Sequence, residues 1–463
     1  VLQNAIIIII VLAVLIRHYA VDYDKGVRSS VFILLLAPLG LSLEIGEALP
    51  ALTIHRFIVL LMAIEWLHNG KVPKRVFGIP FGGLILVITF FTGVSVLISS
   101  NVLVSIKRYM YFLFESVLFF FIIANSIRNK QTMISLMKTI ALSLVVAAML
   151  GIIERYTTFN PTVFLGAKHS TEFEHIEFSG AKDVTVTYLH RILFGLAMAV
   201  GSLYSLFLLD KSESRWQKIS FRIAALLCIA ALYFGMSRGP WLAFGGASVI
   251  MMLFGRKSLK KQFIVILALT VLVFIIRPGT LETLESYYSS TFQAESIKGA
   301  SYEWRYMVLN MAYTKVTNAN SIVNFLFGFG QGSHLFLVFP RIELATGQST
   351  EFYSWDNEFA VILLEHGYVG IFLYAVFYFI IIKRTAIYCI RKKINWEWMV
   401  LPMTTVMALV IMKNGVKFFA PQLIFLEFAN IAFASVILSD FSLWKEQVVS
   451  RPWINQKPEE ITR

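Results

Sequence analysis

The chain has 463 residues, 57% of them hydrophobic and 15% charged, with a formal charge of +13, whereas soluble domains run at about 45–50% apolar and about 25% charged. With a mean hydropathy of +0.71, this composition excludes a soluble globular domain and calls for helices that satisfy their own backbone groups inside lipid. The positive charge does not indicate nucleic acid, because the basic residues fall in short clusters between apolar runs, where they set topology and meet anionic lipid.

In chain order the apolar runs predict spans over roughly 2–16, 30–44, 52–68, 77–98, 108–126, 133–153, 187–209, 219–236, 239–255, 262–277, 358–382, 398–412 and 418–439, about thirteen in all. Ala5 to Ile16, Val117 to Ala124 and Phe263 to Ile276 have no water-facing side, and nothing alternates as a barrel strand would. The chain starts at Val1, and Ile6 to Ile10 is not read as a signal peptide. Arg17, Lys25 and Arg28; Lys71, Lys74 and Arg75; Arg128 and Lys130; Lys211, Arg215 and Lys218; Arg256, Lys257, Lys260 and Lys261; and Lys383, Arg384, Arg391, Lys392 and Lys393 fall in alternate connections. The positive-inside rule places these in the cytoplasm, together with a tail carrying Lys445, Arg451 and Lys457. The expected fold is an all-α polytopic bundle. It divides roughly into an N-terminal bundle over 1–277, a large, partly helical outer loop over 278–357, C-terminal helices over 358–440 and a cytoplasmic tail over 441–463. No repeat of halves is visible, which argues weakly against a carrier. Cys228 and Cys389 are too far apart in sequence to suggest a disulfide framework or a metal cluster.

Three arginines fall on the outer side, where the topology rule disfavours positive charge. Arg191 follows His190 at the start of a span, Arg238 sits in the turn Ser237-Arg238-Gly239-Pro240, and Arg305 lies in Tyr302-Glu303-Trp304-Arg305-Tyr306, part of an expected amphipathic helix. Any one of them has the bland reading of a snorkelling side chain. Together, as bidentate phosphate binders, they suggest an anionic ligand such as a lipid diphosphate. Gly328-Phe329-Gly330-Gln331-Gly332 looks like a phosphate loop without the flanking strand and helix, so a turn that brings backbone close to neighbouring helices is the better reading. Asp356 lies where the loop re-enters the membrane and is the candidate base, although Asp356 or Asn357 is equally suited to cap the next helix. Glu365 and His366, deeper in that span, are assigned structural roles. Asp22-Tyr23-Asp24 spells a metal-binding acidic pair, but it sits among Arg17, Lys25 and Arg28 and is set aside.

These features, in order, resemble the O-antigen ligase/polymerase superfamily of bacterial envelope glycosyltransferases. The pieces are Ile152-Ile153-Glu154-Arg155 with Asn160-Pro161, Arg191 opening a span, Ser237-Arg238-Gly239, Arg305, the glycine segment at 328–332, and Asp356-Asn357 ahead of Gly367-Tyr368-Val369-Gly370. The resemblance implies a metal-independent enzyme of the GT-C type, without cofactor, in the bacterial inner membrane. It would transfer glycan from undecaprenyl diphosphate on the periplasmic face, with a chain-length regulator as a further partner. Ligases of lipopolysaccharide typically carry His-Asn where this chain has Asp356-Asn357, whereas repeat-unit polymerases of the Wzy type more often show Asp-Asn, which favours a polymerase.

On this reading Arg191 and Arg305 hold the diphosphate, Arg238 binds it or organises the site, and Asp356 takes the proton of the acceptor hydroxyl, which predicts inversion. Asn357, Trp304 and Tyr302 join the expected substrate site, and Tyr306, Tyr353 and Trp355 are further candidates to stack on sugars. The nearest alternative is a ligase that moves finished glycan onto lipid A-core or another acceptor. From other classes come a polysaccharide or lipid-linked-sugar transporter, for which Glu115 and Glu427 within spans are the hints, and a non-catalytic envelope scaffold.

Overall fold

Asp22 stops the first helix and starts the second. In the computed structural model, which describes residues 2–43, 51–70, 72–157, 159–166, 184–264, 289, 297–337, 342–343, 349–350, 355–393 and 395–439, Asp22 is extended between α1 (Leu2–Val21) and α2 (Tyr23–Leu36). Its carboxylate accepts the Lys25 N–H at 3.1 Å, an N-cap. Asp24 pairs with Arg128 at 2.6 Å and the Tyr23 hydroxyl meets Ser126 Oγ at 3.0 Å. The acidic pair therefore caps one helix and ties it to another. The cap corrects the second predicted span: it begins at Tyr23 rather than near residue 30, and Pro38, which disfavours helix in the residue before it, closes it at Leu36.

A two-residue hairpin (β1, Ser42–Leu43; β2, Leu52–Thr53) leads to α3 (Ile54–His68) and α4 (Gly82–Leu97). The next rod joins α5 (Val102–Phe112), a π turn (Leu113–Leu118) and α6 (Phe119–Ser126). α7 (Lys130–Thr157) is followed by the 3-10 turn Pro161–Leu165, then α8 (Arg191–Lys211), α9 (Arg215–Phe234) and α10 (Arg238–Phe254). In the large loop stand α11 (Ile297–Thr317), which contains the expected amphipathic segment, α12 (Ile322–Phe327), a 3-10 turn (Ser333–Leu335) and a second hairpin (β3, Ile342–Glu343; β4, Ser349–Thr350). α13 (Glu358–Ile390), α14 (Trp396–Lys413) and α15 (Pro421–Ser439) complete the bundle. Among the described residues, eight helices are long and apolar enough to cross a membrane, the rod from Val102 to Ser126 counting as one. The predicted span at 262–277 lies almost entirely outside the described residues, as do the tail and most of the loop before α11.

The protein is an all-α multi-pass membrane bundle. Its axis is α8, whose apolar window is 94% buried, against 17% for α1 at the rim. α8 packs on α7, α9, α10 and α14, and α15 packs on α14, α6 and α2, so helices from both ends of the chain share one core. Arg191 begins α8 and Lys211 ends it; Arg238 begins α10 and Arg256 follows it. Lys211 and Arg256 both pair with Glu397 at the start of α14, so the clustered basic residues and the isolated arginines lie at opposite ends of the bundle.

The buried carboxylates that hinted at a transport path are neutralised within the protein. In the π turn, Glu115 Oε1 accepts from Arg56 Nε at 3.1 Å and Nη2 at 3.0 Å, and the guanidinium lies 3.3 Å from the Tyr111 ring centroid. Glu427 meets Lys413 at 3.1 Å and accepts from the Tyr378 hydroxyl at 2.7 Å. Intramembrane charges of this kind need such partners.

α13 is broken at Gly367, where φ is 61° and ψ −160°. At the break, the Leu364 and Glu365 carbonyls accept the N–H groups of Phe329 (2.9 Å) and Gly330 (3.1 Å). The glycine segment is thus a backbone-on-backbone crossing, and these two amides serve α13 rather than a phosphate. A Cβ on Gly328 would lie 2.5 Å from the Glu365 carbonyl carbon, and Gly328 itself has φ +75°. Gly328→Ala is expected to lower stability by about 1–3 kcal/mol from backbone strain alone, read as a lower melting temperature in detergent by fluorescence-detected size exclusion.

Candidate active site

Arg191 is placed by the segment before it. Glu154 Oε2 accepts the N–H groups of Thr185 (3.3 Å) and Val186 (2.8 Å), and Asn160 Nδ2 and Thr162 Oγ1 donate to the Val186 carbonyl at 2.9 and 3.1 Å. Gln422 Nε2 donates to the carbonyls of Ala37 (2.7 Å) and Thr187 (3.3 Å), and the Tyr188 hydroxyl donates to Leu35 O at 3.1 Å. Glu154 and Asn160, from the Glu-Arg and Asn-Pro pieces of the sequence, therefore clamp residues 185–187 together with Thr162 and Gln422. Under this clamp Val186 (φ 48°) and Leu189 (φ 65°) hold left-handed backbone, a strain that persists only where surrounding contacts impose it. His190 then caps α8, its Nδ1 accepting the Ile192 N–H at 3.2 Å. Glu154→Ala leaves two buried amides without an acceptor and is expected to destabilise the protein by about 1–3 kcal/mol, again visible in thermal melts.

Arg238 reaches the same end through close packing. A Cβ on Gly195 of α8 would meet Pro240 Cγ at 3.1 Å, so the first turns of α8 and α10 touch. A Cβ on Gly239 would meet Met412 Cε at 2.8 Å, which seats the start of α10 against the end of α14. The residue before the Ser-Arg-Gly turn, Met236, is again left-handed (φ 45°).

The end of α14 leads to Asn414 and Gly415, and there Arg305 of α11 arrives: its Nε donates to the Gly415 carbonyl at 2.8 Å. Burial and the nearby Arg191 charge lower the Arg305 pKa against the pull of Asp356. His190 is held down to about 4 by burial, Arg191 and Arg305, and so is neutral near pH 7. Arg191, Arg305, His190 and Asp356 thus share one electrostatic neighbourhood.

At the mouth of α13 the two candidate caps separate. Asn357, 2% exposed, is the N-cap: its Oδ1 accepts the Ala360 N–H at 3.1 Å, and its Nδ2 donates to Asn414 Oδ1 at 3.2 Å. This engages both ends of its amide and gives Asn357 a positioning role in place of the expected substrate contact. Asp356, half-buried beside it, is released from capping. Trp304, 3% exposed, packs with Trp355, Val308, Ala312 and Leu364, so its ring faces protein rather than a sugar. Tyr302 and Tyr353 lie outside the described side chains, and Tyr306 is 72% exposed.

Residues 223–375 match the family model described as O-antigen ligase. The match supports the resemblance to the O-antigen ligase/polymerase superfamily. The matched stretch carries Arg238, Arg305 and Asp356, while Arg191 precedes it. No curated protein matches the chain significantly. The family match supports a membrane enzyme of the O-antigen ligase/polymerase type.

Sequence reading missed two elements of this site. One is His190, legible only as the neighbour of Arg191. The other is the connection at residues 414–420, where Asn414-Gly415 is a turn signal and Lys417 is one more outer cation against the topology rule. Behind it, His334 Nδ1 lies 2.5 Å from Glu365 Oε1, the Lys417 ammonium donates to His334 Nε2, and the Trp355 indole donates to His334 O at 3.0 Å. Burial, then the Lys417 charge, brings His334 down to about 4 despite Glu365. The neutral ring, donating from Nδ1 and accepting at Nε2, links a cation to an anion. Glu365 and His366, which meets Ser95 Oγ at 3.0 Å, have the structural partners expected of them.

Proposed function

We propose that this enzyme polymerises undecaprenyl diphosphate-linked oligosaccharide repeat units of a surface polysaccharide. The convergence of Arg191, Arg305 and Asp356 at one end of the bundle, with Asn357 relieving Asp356 of capping, supports glycan transfer from a lipid diphosphate, and the Asp356-Asn357 pair in place of His-Asn favours polymerisation. The acceptor sugar hydroxyl oxygen attacks the anomeric carbon of the donor glycan. The bond from that carbon to the diphosphate oxygen breaks, and undecaprenyl diphosphate leaves with the electron pair. The hydroxyl proton passes to the Asp356 carboxylate. A diphosphate leaves as an anion of low basicity, so charge compensation matters more than a general acid. Arg191 and Arg305 supply it without a metal, with Arg238 organising the same end. Attack opposite the leaving group inverts the anomeric centre. The site end faces the periplasm of a bacterial cytoplasmic membrane, in keeping with the basic clusters at the other end.

A second reading, transfer of finished glycan to lipid A-core or another acceptor, is favoured by the description of the matched family as O-antigen ligase. It uses the same residues with a different acceptor. Purified protein given a defined undecaprenyl diphosphate oligosaccharide separates the two. A gel ladder of lengthening lipid-linked products is expected. Extension absent until lipid A-core is supplied would make the protein a ligase, and inactivity with every acceptor would overturn both readings.

A further inference from the structure

Between α14 and α15, residues 414–420 are held from several sides. Asn414 Oδ1 takes the Asn357 amide, and the Phe418 N–H donates to Glu358 Oε2 at 3.0 Å. The Lys413 ammonium lies 4.4 Å from the Phe418 ring centroid, and the Phe419 ring packs edge-on against His190 at 6.3 Å. From inside, Lys417 donates to His334, which bonds Glu365 at the α13 break. Outward, the Gly415 carbonyl receives Arg305. One short loop therefore joins a buried cation–imidazole–carboxylate chain to the arginine, with a single residue, Val416, between the anchoring lysine and the carbonyl that positions Arg305.

We propose that Lys417 is a positioning residue for lipid diphosphate binding: seated on His334 and Glu365, it fixes the 414–420 loop so that the Gly415 carbonyl holds Arg305 toward the anion. This rests on the reading of Arg305 as a diphosphate ligand. Arg305 meets the Gly415 carbonyl through its Nε edge, which fixes the plane of the guanidinium. A loop that drifts loses both the tether and the Asn414–Asn357 bond that supports the start of α13.

The groups around Lys417 make the proposal testable by pH. Glu365 and Glu358 on α13 attract its ammonium, His334 accepts from it, and Arg108 on α5 repels it. Burial lowers Lys417 to about 8 against the pull of the two carboxylates, with Arg108 adding to the lowering. Lys417 is therefore charged below that pH and neutral above it, where its attraction to Glu365 and Glu358 lapses. His190 and His334, each down to about 4, do not titrate in that range.

The experiment is equilibrium binding of undecaprenyl diphosphate to the purified full chain by native mass spectrometry at about pH 7 and about pH 9. Wild type is expected to lose about tenfold in affinity on going to the higher pH. Lys417→Arg should hold its affinity at both, and Lys417→Met should be weak at both. Equal binding by wild type and Lys417→Met at the lower pH, or the same pH response in wild type and Lys417→Arg, overturns the proposal while leaving the diphosphate site standing. Should Lys417→Met fail to fold, the comparison of wild type with Lys417→Arg decides alone. No binding by wild type at either pH would instead overturn the diphosphate reading itself, and this proposal with it.

Discussion

Arg305→Ala is expected to lower kcat/KM for glycan transfer by about 10²–10³-fold, the range for removing one preorganised donor aimed at developing charge. The size follows from its setting. Arg305 is partly desolvated, lies near Arg191, and is fixed through Nε to Gly415 O at 2.8 Å. Two cations held close in a poorly hydrated site interact strongly with a leaving diphosphate, because the charge on the anion is little screened there. Arg305→Lys should recover little, because one ammonium cannot both reach the Gly415 carbonyl and present a planar fork to phosphate oxygens. The check is steady-state transfer with purified variants. Arg305→Lys at wild-type rate would mean that charge alone is needed there.

Asp356→Asn is expected to lower turnover by about 10²–10⁴-fold, the usual contribution of a positioned base, with a smaller fall in melting temperature than loss of the Asn357 cap. The reason for separating activity from stability lies one residue on. Asn357 performs the capping of α13, so the carboxylate of Asp356 is dispensable for the helix. The neighbouring substitution should behave in the opposite sense. Asn357→Ala removes the cap and the bond to Asn414, and should cost about 1 kcal/mol or more of stability. Should Asp356→Asn melt lower while turning over normally, the roles of the two residues would be reversed.

Much of the architecture was legible because lipid leaves the backbone few choices. Apolar runs had to be helices, and α3, α8, α10, α14 and α15 start and stop within a few residues of the predicted limits. α13 runs eight residues past its predicted end and the rod starts six residues early, while α2 was misplaced as a whole because hydropathy ignores its first turns, Tyr23-Asp24-Lys25, which are helical through an Asp22 cap and a tie to Arg128. The three arginines were visible as charges on the wrong side of a charge rule, and the structure brings them to one end. What decides their placement is long-range. Glu154 grips residues 31 and 32 positions away, and Arg305 meets a carbonyl 110 positions away. Gly328 announced a turn, but its partner Gly367 sits in an apolar run where glycine carries no distinct signal. Asp356 and Asn357 are equally good caps in sequence, and only the hydrogen bond to Ala360 separates them. Trp304 looked like a sugar platform because aromatic residues beside arginine often are, yet the packing of α11 on α13 covers it.

The central claim, a direct displacement driven by arginines and one carboxylate, is tested most directly by the anomeric configuration of the new linkage. Purified protein would receive a donor of known configuration in excess chelator, and the product would be analysed by nuclear magnetic resonance. Transfer that proceeds in chelator with inversion is the expected result. Retention of configuration, or dependence of the rate on an added divalent metal, would contradict the assignment of Asp356 as base and of the arginines as the only charge compensation.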